Sequence, residues 1–139
     1  MKTRLPWIAC GLLLTLALTG CAGADTIVLP DAAEVTAVRV TAGDAVTLRT
    51  DRAWIEGFLQ QAAEAVSTGG ESVQDAPDQP GAVRVELGTG EMPDWSVLYI
   101  YEADGACCLE QPYAGIYQGD EALWTFLAAG AVPEGRDPR

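Results

Sequence analysis

Trp95-Ser96-Val97-Leu98-Tyr99-Ile100-Tyr101-Glu102-Ala103-Asp104-Gly105-Ala106-Cys107-Cys108-Leu109-Glu110 is the stretch on which the fold turns. Asp104-Gly105 is the strongest hairpin signal in the chain, because both central positions of a type I′ turn need positive φ. A two-residue turn there fixes the register, with Tyr101 facing Cys108 and Tyr99 facing Glu110. Side chains alternate across a strand. Trp95, Val97, Tyr99, Tyr101, Cys108 and Glu110 therefore share one face, and Leu98, Ile100, Glu102, Cys107 and Leu109 share the other. The aliphatic face is expected to meet helices.

Working outward, Val83, Val85 and Leu87 alternate with Arg84 and Glu86, a half-buried strand. Val35 to Val40 reads as another, with Val38 and Val40 inward. After a turn at Ala42-Gly43-Asp44, Val46 and Leu48 are expected to point into the core. Ile27-Val28-Leu29-Pro30 reads as a short edge strand ended by proline. Asp51 has the character of a helix N-cap, and behind it Trp54, Ile55, Phe58, Leu59 and Ala62 fall on one helical face. Ser67-Thr68-Gly69-Gly70 ends that helix, and residues 69–81, rich in Gly and Pro, read as a surface loop. Pro112 bends the chain before a last short strand over Tyr113 to Tyr117. Asp120 caps a second helix with Leu123, Trp124 and Leu127 on its buried stripe. The expectation is a single α+β domain over residues 27–130. It has an antiparallel sheet of about five or six strands and two helices packed on one face, followed by a flexible tail at 131–139.

The amino terminus has a different character. Lys2 and Arg4 precede an apolar run from Leu5 to Leu18, the layout of a secretory signal and too short to span a membrane. It ends in Leu18-Thr19-Gly20-Cys21, which resembles the lipobox of bacterial lipoproteins. The resemblance implies a signal peptide over residues 1–20, cleavage before Cys21, a diacylglyceryl group on that thiol, and a short tether over 21–26. It places the domain on the extracytoplasmic face of the cell membrane, with the membrane itself as its first partner.

The mature domain also resembles an uncharacterised family of small secreted or lipid-anchored domains, mainly from Gram-positive bacteria. The matching pieces are Ile27-Val28-Leu29-Pro30, Asp51, Thr68 with Ser72-Val73-Gln74-Asp75-Ala76-Pro77, and Leu109-Glu110-Gln111-Pro112-Tyr113-Ala114-Gly115-Ile116-Tyr117. The resemblance implies a fold and a location but no activity.

Composition excludes several chemistries. The chain contains no histidine, which removes histidine triads, the commonest zinc ligand and the usual general base. Once Cys21 is lipidated, Cys107 and Cys108 are too few for a zinc site, and their thiols are expected on opposite strand faces, unpaired. No metal or cofactor site is expected. Removing Lys2 and Arg4 with the leader leaves six basic residues against 20 acidic, a formal charge of −14. Such a field repels nucleic acid.

The candidate functional residues cluster around the hairpin. Trp95, Tyr99 and Tyr101, with Tyr113 and Tyr117 nearby, would form an aromatic surface for a peptide, protein or cell-wall component, unless the 69–81 loop covers it as a second small core. Glu86, Glu102 and Glu110 would favour a basic partner, with Arg84 orienting an acidic group within it. The resulting expectation is a non-enzymatic binding module. The alternative is a membrane-tethered hydrolase acting through paired carboxylates such as Glu102 and Glu110, against which stands their placement on opposite hairpin faces.

Overall fold

The computed structural model describes residues 25–130. The expected leader over residues 1–20, Cys21 and the expected tail at 131–139 lie outside the described residues. Seven strands and two helices follow in the order β1 (Val35–Ala42), β2 (Ala45–Arg49), α1 (Arg52–Ala62), β3 (Val66–Gly70), β4 (Val83–Thr89), β5 (Asp94–Ala103), β6 (Ala106–Gln111), β7 (Gly115–Gly119) and α2 (Glu121–Gly130). The strands form one antiparallel sheet ordered β2-β1-β4-β5-β6-β7-β3. The α+β expectation holds, but the sheet has seven strands rather than five or six.

The central hairpin is as read. Asp104 and Gly105 have φ of 52° and 75°, and Tyr99 pairs with Glu110 and Tyr101 with Cys108. Asp51 caps α1 by accepting from the Trp54 N–H at 2.9 Å. Asp120 does the same for α2 through the Ala122 N–H at 2.8 Å. Both caps satisfy backbone donors that the first helical turn leaves free.

Both helices lie on one face of the sheet. Ile55, Phe58 and Leu59 of α1 and Leu123 and Leu127 of α2 join Val38, Val40, Val85, Leu87, Leu98, Ile100, Cys107 and Leu109 in one buried apolar cluster. Trp54 stacks on Phe58 with ring centroids 5.5 Å apart and meets Phe126 of α2 at 5.3 Å. The aromatics thus bridge the two helices.

Three elements depart from expectation. Val46 and Leu48 are 61% and 57% exposed. The turn is Gly43-Asp44 alone, with Ala42 paired to Ala45, one residue shorter than expected, and a one-residue slip flips every side chain of a strand. Thr47 and Arg49 take the inward positions instead, and the Arg49 guanidinium sits 5.3 Å from the Trp54 ring centroid and donates to the Gly130 carbonyl. The residues that were to end the first helix form β3, paired to β7. Ile27–Pro30 is no strand: Thr26 makes a single bridge to Val66, and Ile27 is buried while Val28 is exposed.

Candidate functional site

The face of the sheet away from the helices carries two groups of polar side chains, and the strand register builds both. The first lies at the β5–β6 end. Glu110 is 3% exposed and Tyr101 is 5% exposed. The Tyr101 hydroxyl donates to Glu110 Oε2 at 3.1 Å, and the Ser72 hydroxyl donates to Oε1 at 2.7 Å. Ser72 comes from the long loop between β3 and β4, so that loop folds over this end of the sheet. Next to it the Tyr113 hydroxyl donates to Asp75 Oδ1 at 2.7 Å. Burial first, and then the hydrogen bond to Glu110, push the Tyr101 hydroxyl up to about 12. The carboxylate is satisfied on both oxygens, as a buried charge requires.

The second group lies between β1, β4 and β5. Arg39 faces Glu86 across the β1–β4 ladder, and Glu86 faces Val97 across β4–β5. Arg39 and Arg84 each approach Glu86 at 3.2 Å, with guanidinium side chains 39% and 47% exposed and the shared carboxylate 10% exposed. The Arg39 guanidinium also sits 4.3 Å above the Trp95 ring, a cation–π contact. Trp95 can lie flat only because Gly88 faces it. A Cβ on Gly88 would stand 2.9 Å and 3.0 Å from two ring atoms of the indole. Tyr99, half-buried, pairs with Arg84 on β4.

The six expected site residues therefore separate. Trp95, Tyr99 and Arg84 belong to the second group. Tyr101 is covered by the chain's own loop and serves as core. Tyr113 is exposed but spends its hydroxyl on Asp75. Tyr117 is on the other face: it pairs with Leu109 and packs against the helix-side core. The three-residue connection before β7, with Tyr113 at φ 61°, sets that parity. Sequence reading missed Arg39, whose role depends on the β1–β4 pairing between residues 47 positions apart.

The acidic residues change meaning too. Glu110 is buried and Glu86 is held between two arginines, so neither offers a free anion to a basic partner. Glu102 lies on the helix side, lining a small pocket with Gly105, Cys107, Glu121 and Trp124. Glu102 and Glu110 are on opposite faces of the hairpin, as the register required. Cys107 and Cys108 are free thiols. Burial pushes the Cys107 thiol up to about 11, which keeps it protonated and poorly nucleophilic.

These features define a small α+β domain with one face built on apolar packing and the other on polar and cationic contacts. The chain belongs to the DUF5301 family, whose model, described as a domain of unknown function (DUF5300), matches residues 23–118. Among solved structures the domain is similar to the NMR structure of a protein from Ruminococcus gnavus. That similarity has a TM-score of 0.57 at 23% identity over 68% of this chain and 91% of that one, and bears on the fold alone. No curated protein matches.

Proposed function

We propose that the chain is the precursor of a lipid-anchored extracytoplasmic binding module, without enzymatic activity, that docks a peptide, protein or cell-wall component on its open sheet face. The anchor is Cys21. It is supported by the basic start, the apolar run and Leu18-Thr19-Gly20-Cys21, and by the resemblance of the mature domain to small secreted or lipid-anchored domains, mainly from Gram-positive bacteria. Two acyl chains would make the anchoring stable, since one chain alone is marginal.

One observation carries the docking reading: Arg39 and Arg84, both half-exposed, share the single carboxylate of Glu86 beside Trp95 and Tyr99. Two guanidinium groups on one carboxylate leave local positive charge in a strongly acidic chain. A flat indole held under one of them offers an apolar seat. Tyr, Trp and Arg are the residue types that dominate binding energy at interfaces. The patch therefore favours a carboxylate-bearing group over the basic partner that the glutamates alone suggested.

Two measurements test this. Cys21→Ser should move the protein from the membrane fraction to the soluble extracytoplasmic fraction, and an unmodified Cys21 in the mature wild-type protein would refute the anchor. Isolated cell wall and solubilised membrane should each be offered to the wild type and to the Trp95→Ala, Arg84→Ala double variant. Retention by the wild type and loss in the folded variant supports the docking face. Equal retention by both removes it.

A further inference from the structure

The two edges of the sheet are finished differently. At the β3 edge, Ser67 N–H donates to the Asp25 carbonyl at 2.7 Å and Ile27 N–H donates to the Ala65 carbonyl at 3.2 Å. The ladder there is also interrupted between Ser67 and Gly70. A covered, irregular edge resists further pairing. Among the described residues the β2 edge has neither feature: its pairing to β1 is regular from Ala45 to Arg49, and it carries no proline or lysine.

The turn sets which backbone groups that edge presents. Gly43 has φ 58° in a two-residue turn, which makes Ala42 and Ala45 a hydrogen-bonded pair. By alternation Thr47 and Arg49 also bond to β1, and Val46 and Leu48 turn their N–H and C=O groups outward. Their side chains stand exposed on the open face.

We infer that the β2 edge pairs with the β2 edge of a second copy of this chain, antiparallel, about a two-fold axis at Thr47. This pattern is its own complement. In that register Val46 of one copy faces Leu48 of the other, twice, giving four backbone hydrogen bonds and two cross-strand apolar pairs. Ala45 faces Arg49 and Asp44 faces Thr50. No acid faces an acid, and the strand end bearing Asp44 lies beside the end bearing Arg49 of its partner. The axis is perpendicular to the sheet, so both copies keep their helices on the same side and the interface is isologous. The contact is small, and the chain's formal charge of −12 opposes it, so association strengthens as salt screens that repulsion.

Cysteine scanning of the full chain in membranes tests the register, in a Cys107→Ala, Cys108→Ala background that removes the two free thiols among the described residues. Ala45, Val46, Thr47, Leu48 and Arg49 are each changed to Cys and oxidised, with the Cys107→Ala, Cys108→Ala chain as control. The Thr47→Cys variant should give the fastest self-cross-linking, because only Thr47 faces itself. Leu48→Pro added to Thr47→Cys removes one outward donor per copy without touching the bonds to β1. Cross-linking should fall roughly tenfold, the effect of two weak hydrogen bonds, while circular dichroism stays unchanged. Equal cross-linking at all five positions, a maximum elsewhere, or no loss in the folded Leu48→Pro background would overturn the inference. If the proline variant does not fold, Leu48→Lys replaces it and the positional maximum still decides.

Discussion

The two faces of this sheet bury residues by different means. On the helix side the enclosed side chains, from Val38 and Val85 to Phe58 and Leu123, are aliphatic or aromatic apart from the Cys107 thiol. On the open side the enclosed residues include Glu86 and Glu110, and each is held by partners from another segment. Apolar packing is non-directional and tolerates any neighbour of suitable shape. A buried carboxylate tolerates only the donors that satisfy it. One face therefore specifies stability, and the other specifies which strands and loops must meet.

The largest test of this contrast is Phe58→Ala. The side chain is fully buried, and its loss should cost about 3–5 kcal/mol in denaturant unfolding. A cost under about 1 kcal/mol would show that the helix layer is not the main store of stability.

Glu110→Ala comes next. It leaves the Ser72 and Tyr101 hydroxyls without their acceptor and should cost about 1.5–3 kcal/mol. It should also raise proteolysis of the β3–β4 loop, which no helix-side truncation of equal cost would do selectively.

Tyr101→Phe removes one of the two donors and should cost about 1 kcal/mol. It also carries a pH signature. The folded pKa lies above the unfolded one, at about 12 against 10.0, so the folded state holds the proton more tightly. The contribution is complete below pH 10 and is lost as pH rises towards 12. Tyrosine absorbance in the wild type should retain a component that ionises near 12 and that Tyr101→Phe removes.

The smallest effect belongs to Leu48→Ala. Leu48 is as apolar as Leu109, but it is 57% exposed, and its loss should stay within about 0.5 kcal/mol. A cost near that of Phe58→Ala would mean that β2 faces the core after all.

Sequence alone gave a good account of the helix face. Asp104-Gly105 set the register of β5 and β6, and the two caps and their apolar stripes located both helices. What it misjudged turns on parity and distance. One residue more or less in the Gly43-Asp44 turn decides whether Val46 or Thr47 points inward, and alternation cannot count turn residues. The β3 segment reads as a helix end because Thr68-Gly69-Gly70 has little strand character of its own, and its pairing with β7 is what holds it extended. For the candidate site, Trp95, Tyr99 and Arg84 were legible from the hairpin and its neighbour. Arg39 and the Ser72–Glu110 bond were not, because both join segments far apart in the chain.

The strand order has a consequence for how the chain reaches this structure. β4, β5, β6 and β7 form an unbroken meander, each strand paired with the next through a short connection. β1 and β2 form a second local hairpin. Among the described residues only the β1–β4 and β3–β7 ladders join distant segments, with Val38 meeting Leu87 and Ser67 meeting Tyr117. Long-range pairing must overcome loop-closure entropy before any contact rewards it. The meander around Asp104-Gly105 is thus the expected nucleus, docking of the β1–β2 hairpin the slower step, and the β3–β7 ladder the last to close.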